Sequence, residues 1–234
     1  MAEQLTFELT DAPPATFANF VAGPNAEAVA TLARLARHDV RETGLVLWGA
    51  SGAGKTHLLK AAVTLAREHG RDAWFVDASS PADDVVQGRD PFVVVDRVDQ
   101  AGEAEQGRLF TLYNALAALG GQLVAAAGLP PARMTLRDDL RTRLGWGLVI
   151  EIEPLADADK PEALAAFARA RGFRLSSDAI GYLLAHGRRD MASLVRTLTA
   201  LDRHSLALQR PITLPLIREW LQRDMALPQR PPNS

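Results

Sequence analysis

The segment of residues 49–56, GASGAGKT, constrains the fold of this chain more than any other. It matches the pattern G-x-x-x-x-G-K-[ST] at every fixed position, and a chance match is expected in about one such sequence in a thousand. Its glycines allow successive backbone N–H groups to surround phosphate oxygens, and the helix that follows adds a positive field. In such a loop the lysine contacts the β- and γ-phosphates and the hydroxyl residue is a ligand of Mg²⁺. The predicted nucleotide-binding residues are Gly49, Gly52, Ala53, Gly54, Lys55 and Thr56.

The hydrophobic pattern around this loop predicts an α/β domain. Short apolar segments alternate with helical segments, and strands that are apolar throughout are typical of a parallel sheet covered on both faces. Asn25 is the predicted cap of the first helix. The predicted strands are residues 44–48, 73–76, 92–95, 123–126 and 148–152, and the predicted helices among them are 25–38, 57–68, 109–119 and 136–144.

The pattern changes at Pro154, after which helical segments follow one another without strands. A junction of this kind between two domains is a frequent place for a ligand. We therefore expect an α/β domain with a five-stranded parallel sheet flanked by helices, followed by a small all-α domain. The expected parts are a flexible tail at 1–16, a nucleotide-binding domain at 17–153, a helical domain at 154–224 and a disordered tail at 225–234. The four predicted helices of the second domain are 157–171, 177–186, 190–208 and 213–223.

Composition excludes several classes of protein. Hydrophobic residues make up 47% of the 234 residues and charged residues 23%, which excludes a disordered or collagen-like chain. We expect neither a membrane span nor a signal peptide, because the chain lacks a long apolar run and a basic, apolar N-terminus. The absence of cysteine excludes disulfides and Cys-ligated zinc, and it fits a cytoplasmic location. The net charge of −2 argues against strong binding of nucleic acid by the chain alone.

An acidic residue ends the third predicted strand. Asp96 follows the apolar run 92–95, and an apolar strand that delivers a carboxylate to a phosphate loop is the Walker B arrangement, in which the acid helps to hold Mg²⁺. Thr56 and Asp96 are therefore the predicted magnesium-associated residues. Active ATPases of this type usually carry an acid at the next position, where this chain has Arg97, which cannot act as a base. Asp99 is either a substitute for that acid or a solvated loop residue.

Several segments, taken in order, resemble those of the DnaA-like AAA+ proteins, and in particular the regulatory inactivators of DnaA among them. The resemblance covers about residues 3–224. It implies an AAA+ core followed by a four-helix lid, with ADP or ATP and Mg²⁺ held between them. The segments that carry it are residues 16–23 (TFANFVAG), the phosphate loop with His57, the turn Pro130-Pro131, residues 143–147 (RLGWG), and the helical segments 170–173 and 201–203.

The resemblance assigns further residues to the nucleotide site. It places His57 with the phosphate loop, and it places Phe20 and Val21 near the adenine. An apolar staple before a helix explains Phe20 and Val21 equally well.

Arg143 occupies the position of the arginine finger in the family that the chain resembles. Such a finger projects from one subunit onto the γ-phosphate held by its neighbour, and it accelerates hydrolysis by several orders of magnitude. From the residues alone, a surface arginine in a helix with Arg137 and Arg141 is the alternative. Trp146, in the same segment, is expected to pack in the core.

The N-terminal segment of residues 4–9, QLTFEL, resembles a peptide that binds the sliding clamp of DNA polymerase. An added strand at a sheet edge is the alternative. The side chains implied to bind the clamp are those of Gln4, Leu5, Phe7 and Leu9.

The chain departs from the family pattern at positions that sense the γ-phosphate. Gly128 stands where the family often has an aspartate (sensor 1), and Ala192 stands where the lid often supplies an arginine (sensor 2). Whether Arg188, Arg189 or Arg196 replaces that arginine is open. Together with Arg97 these departures predict weak hydrolysis by the chain itself, and they favour ADP as the bound nucleotide.

Three functions are compatible with these features. The resemblance implies a regulator that binds the DNA-loaded clamp, meets ATP-bound DnaA and promotes its hydrolysis, which prevents re-initiation of replication. DNA is then reached only through the clamp, no membrane is involved, and assembly with like subunits stays open. The alternatives are an autonomous AAA+ ATPase, such as a helicase loader or remodeller, and a member of the family that binds DnaA or membrane without accelerating hydrolysis.

Overall fold

The first part of the chain is built on a single parallel sheet. The computed structural model describes residues 15–40, 42–79, 88, 90–188 and 190–226. Five strands pair in the order β2-β3-β4-β1-β5, and every pairing is parallel. This confirms the predicted sheet. The strands are β1 (Gly44–Trp48), β2 (Ala73–Asp77), β3 (Phe92–Asp96), β4 (Gln122–Ala127) and β5 (Leu148–Glu151).

The central strands are apolar because both of their faces are covered. Every residue of β3 and β4 is buried, whereas residues of the edge strand β5 alternate between exposed and half-buried. In the register of the sheet, Trp48 lies opposite Ala127 and Asp77 lies opposite Asp96. The carboxyl ends of β1, β3 and β4 therefore meet at one edge, where the phosphate loop begins.

Helices cover both faces of this sheet, as predicted. On one face α1 (Ala26–Ala36) and α2 (Lys55–Glu68) pack against the strands, and on the other α3 (Glu103–Ala118) and α4 (Asp138–Leu144) do so. A mainly aliphatic core lies between the sheet and the helices on each face. The removal of this apolar surface from water stabilises the fold. Fully buried representatives are Leu32, Leu58 and Phe92 on the first face and Val93 and Leu140 on the second.

The second part of the chain is helical, which confirms the predicted change of pattern. Its helices are α5 (Lys160–Ala170), α6 (Ser177–His186), α7 (Met191–Leu208) and α8 (Leu214–Ala226). They enclose a separate aliphatic core that includes Leu164, Leu183, Leu198 and Ile217.

Polar side chains define the ends of these helices and hold two of them together. The Ser176 hydroxyl and the Asp190 carboxylate accept hydrogen bonds from backbone N–H groups at the starts of α6 and α7. Arg171 and Asp202 form a buried ion pair, with Nε 2.6 Å from Oδ2.

The described residues divide into two compact units, one that ends at Asp159 and one that begins at Lys160. Among the helices that the structure describes, none has the length and apolar character needed to cross a membrane.

A helix cap and a helix start show the largest differences from the sequence-based predictions. Asn25 precedes α1 but does not cap it, because its amide exchanges two hydrogen bonds of 2.9 Å with the backbone of Glu153. Helix α3 begins at Glu103, earlier than the predicted start at Leu109. Its first turn is polar and carries two glutamates, which the positive end of the helix favours but which no apolar periodicity reveals.

Candidate nucleotide-binding site and the Arg143 surface

The phosphate loop, residues 49–56, adopts a conformation that depends on its glycines. Gly52 and Gly54 have φ angles of 82° and 99°, in the left-handed region that other residues rarely enter. Gly49 also has a positive φ angle, 150°, and a Cβ there would overlap the carbonyl oxygen of Ile152. Beside Gly52 a Cβ would meet nothing within 4 Å, so the loop leaves open space at this point.

The Lys55 side chain folds over the loop. Its ammonium donates hydrogen bonds to the carbonyl oxygens of Gly49, at 2.7 Å, and Ala50, at 2.9 Å. Burial lowers the pKa of Lys55, and the negative charges of Asp96 and Asp99 oppose this effect. The ammonium is thus held where phosphate oxygens can take the place of the two carbonyls.

Thr56 and Asp96, the two residues predicted to be associated with magnesium, lie together. The Thr56 hydroxyl donates a hydrogen bond of 2.6 Å to Oδ2 of Asp96. The other carboxylate oxygen of Asp96 accepts from the backbone N–H of Arg97 at 3.0 Å. Asp96 is only 6% exposed. The hydroxyl of Thr56 and the carboxylate of Asp96 are oxygen ligands of the type that Mg²⁺ prefers.

The aromatic ring of Phe20 covers the start of α2. A Cβ on Gly54 would lie 2.6 Å from Cε2 of Phe20, and the Phe20 and His57 rings are 5.5 Å apart between centroids. Nε2 of His57 lies 3.0 Å from the carbonyl oxygen of Thr16. Burial lowers the pKa of His57, although this hydrogen bond partly opposes the effect. Phe20 therefore contacts the predicted nucleotide site, and Val21, which follows it, is half-buried.

Arg97, at the position where an acid usually follows Asp96, is directed away from the loop. Its backbone is in the left-handed region, with φ 55°. Its guanidinium forms an ion pair with Asp77 at the end of the neighbouring strand β2. The residue next to Asp96 thus offers the loop neither an acid nor a free cation.

Asp99 is a residue of the site whose role the sequence left open. Its Oδ2 accepts a hydrogen bond of 2.8 Å from the backbone N–H of Gly128, directly after β4. The carboxylate is therefore fixed at the same sheet edge as the phosphate loop, and it is half-buried rather than fully solvated.

The guanidinium of Arg143 is surrounded by aromatic rings. It lies 5.1 Å from the centroid of Phe110, 5.7 Å from that of Tyr113 and 5.0 Å from that of Trp146, and it donates a hydrogen bond to Oδ1 of Asn114. Contacts of this kind hold a cation over the faces of the rings. Trp146 is 67% exposed, which contradicts the sequence-based expectation that it packs in the core.

Arg143 lies at the opposite end of β1 from the phosphate loop. It lines a shallow cleft together with Gly44, Leu45 and Val46, the first residues of that strand, whereas the loop begins with Gly49. At 3.2–3.4 Å per residue, Gly44 and Gly49 are about 16 Å apart. The structure thus places Arg143 apart from the loop residues of its own unit.

The arginines considered as substitutes for a sensor in the lid lie around the start of α7. Nε of Arg188 is 3.4 Å from Asp190, and Arg196 donates a hydrogen bond of 2.8 Å to Ser193. Ala192 is in the first turn of α7. Gln4, Leu5, Phe7, Leu9 and Arg189 lie outside the described residues.

The residues at the loop fit a nucleotide with Mg²⁺. They supply an ammonium, a hydroxyl, a buried carboxylate and an aromatic face, beside a loop whose glycines leave space open at Gly52. Among the described residues, no group of three or more acidic, histidine or cysteine side chains could hold a metal ion without a nucleotide.

Two family models match the chain in two separate regions. The model of the bacterial DnaA ATPase domain matches residues 12–88. The model of the Hda lid domain matches residues 157–221. The first region contains the phosphate loop, and the second contains α5, α6 and α7 with most of α8.

The fold is shared with solved structures of DnaA and RuvB. Domain III of the replication initiation protein DnaA from Thermotoga maritima superposes with a TM-score of 0.76 at 20% identity, over 91% of this chain and 97% of that one. AMPPCP-bound DnaA from Aquifex aeolicus superposes with a TM-score of 0.67 at 22% identity, over 92% of this chain and 71% of that one. A RuvB variant from Thermotoga maritima gives 0.64 at 15% identity, over 90% and 73%.

The sheet order, the phosphate loop and both model matches agree on one assignment. The chain is similar to DnaA-like AAA+ proteins in its first part and to the Hda lid domain in its second, and it shares the fold of DnaA domain III.

Proposed function

We propose that this chain regulates the initiation of replication by binding an adenine nucleotide and the DNA-loaded sliding clamp, and by promoting hydrolysis of the ATP bound to DnaA. The observation that carries the proposal is the separation of Arg143 from the phosphate loop of its own chain. An arginine about one strand length away from that loop is placed to act on a nucleotide held by another subunit.

The nucleotide-binding part of the proposal rests on Lys55, Thr56 and Asp96. Lys55 would bind phosphate oxygens in place of its two carbonyl partners, and the Thr56 hydroxyl and the Asp96 carboxylate would hold Mg²⁺. When bound, the metal neutralises phosphate charge. Phe20 covers the same region with an apolar ring, which fits contact with a nucleotide base.

Weak turnover by the chain itself follows from the residues around Asp96. Arg97 is engaged with Asp77, and Gly128 has no side chain to offer at the end of β4. A chain that binds a nucleotide but hydrolyses it slowly suits a regulator that keeps one nucleotide state while it acts on a partner.

The catalytic part of the proposal rests on Arg143. Its guanidinium is half-buried among three rings and one amide oxygen, so its position is well determined before a partner arrives. In the complex it donates hydrogen bonds to the partner's γ-phosphate and stabilises the charge that develops there. An arginine supplied in trans raises such a rate by about 10³–10⁵.

The clamp-binding part of the proposal rests on sequence. Gln4, Leu5, Phe7 and Leu9 combine a hydrogen-bonding amide with three apolar side chains in one short N-terminal peptide. This peptide brings the regulator to DNA through the clamp, in the cytoplasm, without direct DNA contacts of its own.

An autonomous AAA+ ATPase is the second candidate. The observation that favours it is the intact Thr56–Asp96 pair beside a complete phosphate loop. This candidate requires turnover of ATP by the isolated chain, and Arg143 would then serve a neighbouring copy of the same chain.

The test is hydrolysis of ATP that is bound to DnaA beforehand, in the presence of clamp loaded on DNA. The unmodified chain is expected to accelerate hydrolysis, whereas Arg143→Ala and a deletion of residues 1–10 are not. Arg141→Ala is the matched control, because Arg141 lies on the same helix and pairs with the solvent-exposed Asp138. Equal acceleration by Arg143→Ala and the unmodified chain would contradict the proposal, and turnover by the chain alone would favour the second candidate.

A further inference from the structure

We propose that the Asp99 carboxylate makes the nucleotide site selective for a diphosphate over a triphosphate. This inference rests on the proposed binding of an adenine nucleotide and names the residue that chooses its phosphate number. It concerns one carboxylate, its anchor on the backbone of Gly128, and its effect on the charge at Lys55.

The position of Asp99 is fixed by contacts on two sides. Asp99 lies in a one-turn 3-10 helix, Val98–Gln100, which Val98 anchors in the core at 1% exposure. From this turn the carboxylate reaches the backbone N–H of Gly128 at 2.8 Å, past the end of β4. Because β4 lies between β3 and β1 in the sheet, this carboxylate stands beside the strand that leads into the phosphate loop.

The glycine at position 128 provides the space that this carboxylate uses. A Cβ on Gly128 would lie 3.1 Å from Oδ2 of Asp99, which is closer than ordinary van der Waals contact. A larger side chain at 128 would therefore compete with Asp99 for the same volume. The carboxylate of Asp99 thus occupies the space, directly after β4, that a side chain at position 128 would need.

The phosphate loop begins beside the anchor of this carboxylate, since the backbone N–H of Gly49 donates a hydrogen bond of 3.2 Å to the carbonyl oxygen of Ala127, the residue before Gly128. The negative charges of Asp99 and Asp96 both favour the charged form of Lys55. One lysine thus faces two carboxylates at this edge. The neighbouring guanidinium of Arg97 is engaged with Asp77 on β2 and is not directed at Asp99.

ATP differs from ADP by one further phosphate group and its negative charge. In a loop of this type the lysine contacts the β- and γ-phosphates, so a charge that acts on Lys55 also acts on a terminal phosphate beside it. Like charges at short range in a partly buried site repel strongly, because water screens them less than at the surface. Asp99 therefore opposes a third phosphate more than it opposes the first two.

The test compares the binding of ADP and ATP, each with Mg²⁺, to the full-length chain by isothermal titration calorimetry at one ionic strength. Asp99→Asn removes the charge and keeps an oxygen that can accept from Gly128. Asp99→Glu keeps the charge. Glu68→Gln is the matched control, because it removes one negative charge at the exposed end of α2, away from the loop.

The unmodified chain is expected to prefer ADP, and Asp99→Asn is expected to raise the ratio of ATP affinity to ADP affinity about tenfold, which corresponds to about 1.4 kcal/mol. ADP affinity should change little, which also shows that the variant is folded. Asp99→Glu and Glu68→Gln should keep the original ratio.

Two results would overturn the inference in distinguishable ways. If the unmodified chain binds neither nucleotide, the proposed function fails at its first step and the inference fails with it. If nucleotides bind but Asp99→Asn leaves the affinity ratio within twofold of the original, only the inference fails. A loss of slow ATP turnover with that unchanged ratio would instead assign Asp99 to the activation of water.

Discussion

Arg97 forms an ion pair with Asp77 across the carboxyl ends of β3 and β2. The pair follows from the register of the sheet, in which Asp77 lies opposite Asp96, so that the residue after Asp96 stands beside the end of β2. The guanidinium compensates the charge of Asp77 and contributes no acid to the phosphate loop.

Replacing Arg97 by alanine is expected to have a small effect on stability. Half of the Arg97 side chain and a third of the Asp77 side chain are exposed, and pairs of this kind contribute less than about 1 kcal/mol. The free energy of unfolding from urea denaturation should fall by no more than that, and affinity for a nucleotide should be retained. A loss of several kcal/mol would show that Arg97 supports the loop in a way that the ion pair does not explain.

Lys55→Ala is expected to weaken nucleotide binding by about 2–4 kcal/mol, because charge-assisted hydrogen bonds to two phosphates are lost. The rise in melting temperature that a nucleotide causes should disappear at concentrations that stabilise the unmodified chain. Lys60→Ala is the control. It removes a lysine from the same helix whose ammonium lies over the ring of Phe75 at 5.4 Å, and it should leave the nucleotide-dependent rise intact.

His57 is expected to make stability depend on pH below neutrality. Burial lowers its pKa in the folded state, whereas the unfolded chain has the ordinary value of about 6.5. Above that value His57 is neutral in both states. As the pH falls from 6.5 towards the lowered pKa, the unfolded chain binds the proton first, and the folded state loses stability.

The measurement is the free energy of unfolding at several pH values between 7.5 and 5, for the unmodified chain and His57→Asn. The unmodified chain should lose more stability over this interval than the variant, since other groups contribute equally to both. Identical pH profiles would show that His57 keeps its ordinary pKa in the folded protein.

Arg71 lies at the amino ends of the strands, at the edge of the sheet opposite to the phosphate loop. Its removal is expected to lower the free energy of unfolding. Its side chain is 3% exposed, pairs with Asp90 at 2.9 Å, and donates hydrogen bonds to Leu35 and Gln122. Arg71→Met would leave buried oxygen atoms without donors and a carboxylate without its cation, a change that costs about 3–5 kcal/mol.

The comparison variant is His38→Gln, which alters the same cluster at its exposed side. His38 is 42% exposed and lies 2.7 Å from the carboxylate of Asp90. Its replacement should cost less than about 1 kcal/mol. Chemical denaturation of both variants measures the contrast, and equal losses would contradict the assignment of the energy to the buried guanidinium.

Local signals allowed much of the fold to be predicted. The all-apolar strands, the glycine pattern of the loop and the helix start at Asp190 each depend on residues close together in the chain, so the sequence alone predicts them. The polar first turn of α3 carries no such periodicity, which explains why its start at Glu103 was missed.

Contacts between distant residues limited the prediction of the site. The position of Thr56 beside Asp96 could be predicted because both belong to recognised motifs. The pairing of Arg97 with Asp77, and that of Asp99 with Gly128, depend on which strands are neighbours and in what register. Trp146 was expected in the core because large aromatic residues usually pack there, but it lies on the surface against Arg143.

The distance between Arg143 and the phosphate loop gives the first unit two different faces. If Arg143 acts on a nucleotide held by a neighbouring subunit, as proposed above, subunits that offer the cation from one end of β1 and the nucleotide from the other would join head to tail. Such contacts close into a ring or continue as a filament unless one member lacks a partner for one of its faces. A chain that uses only its Arg143 face would occupy the end of such a row and stop its growth.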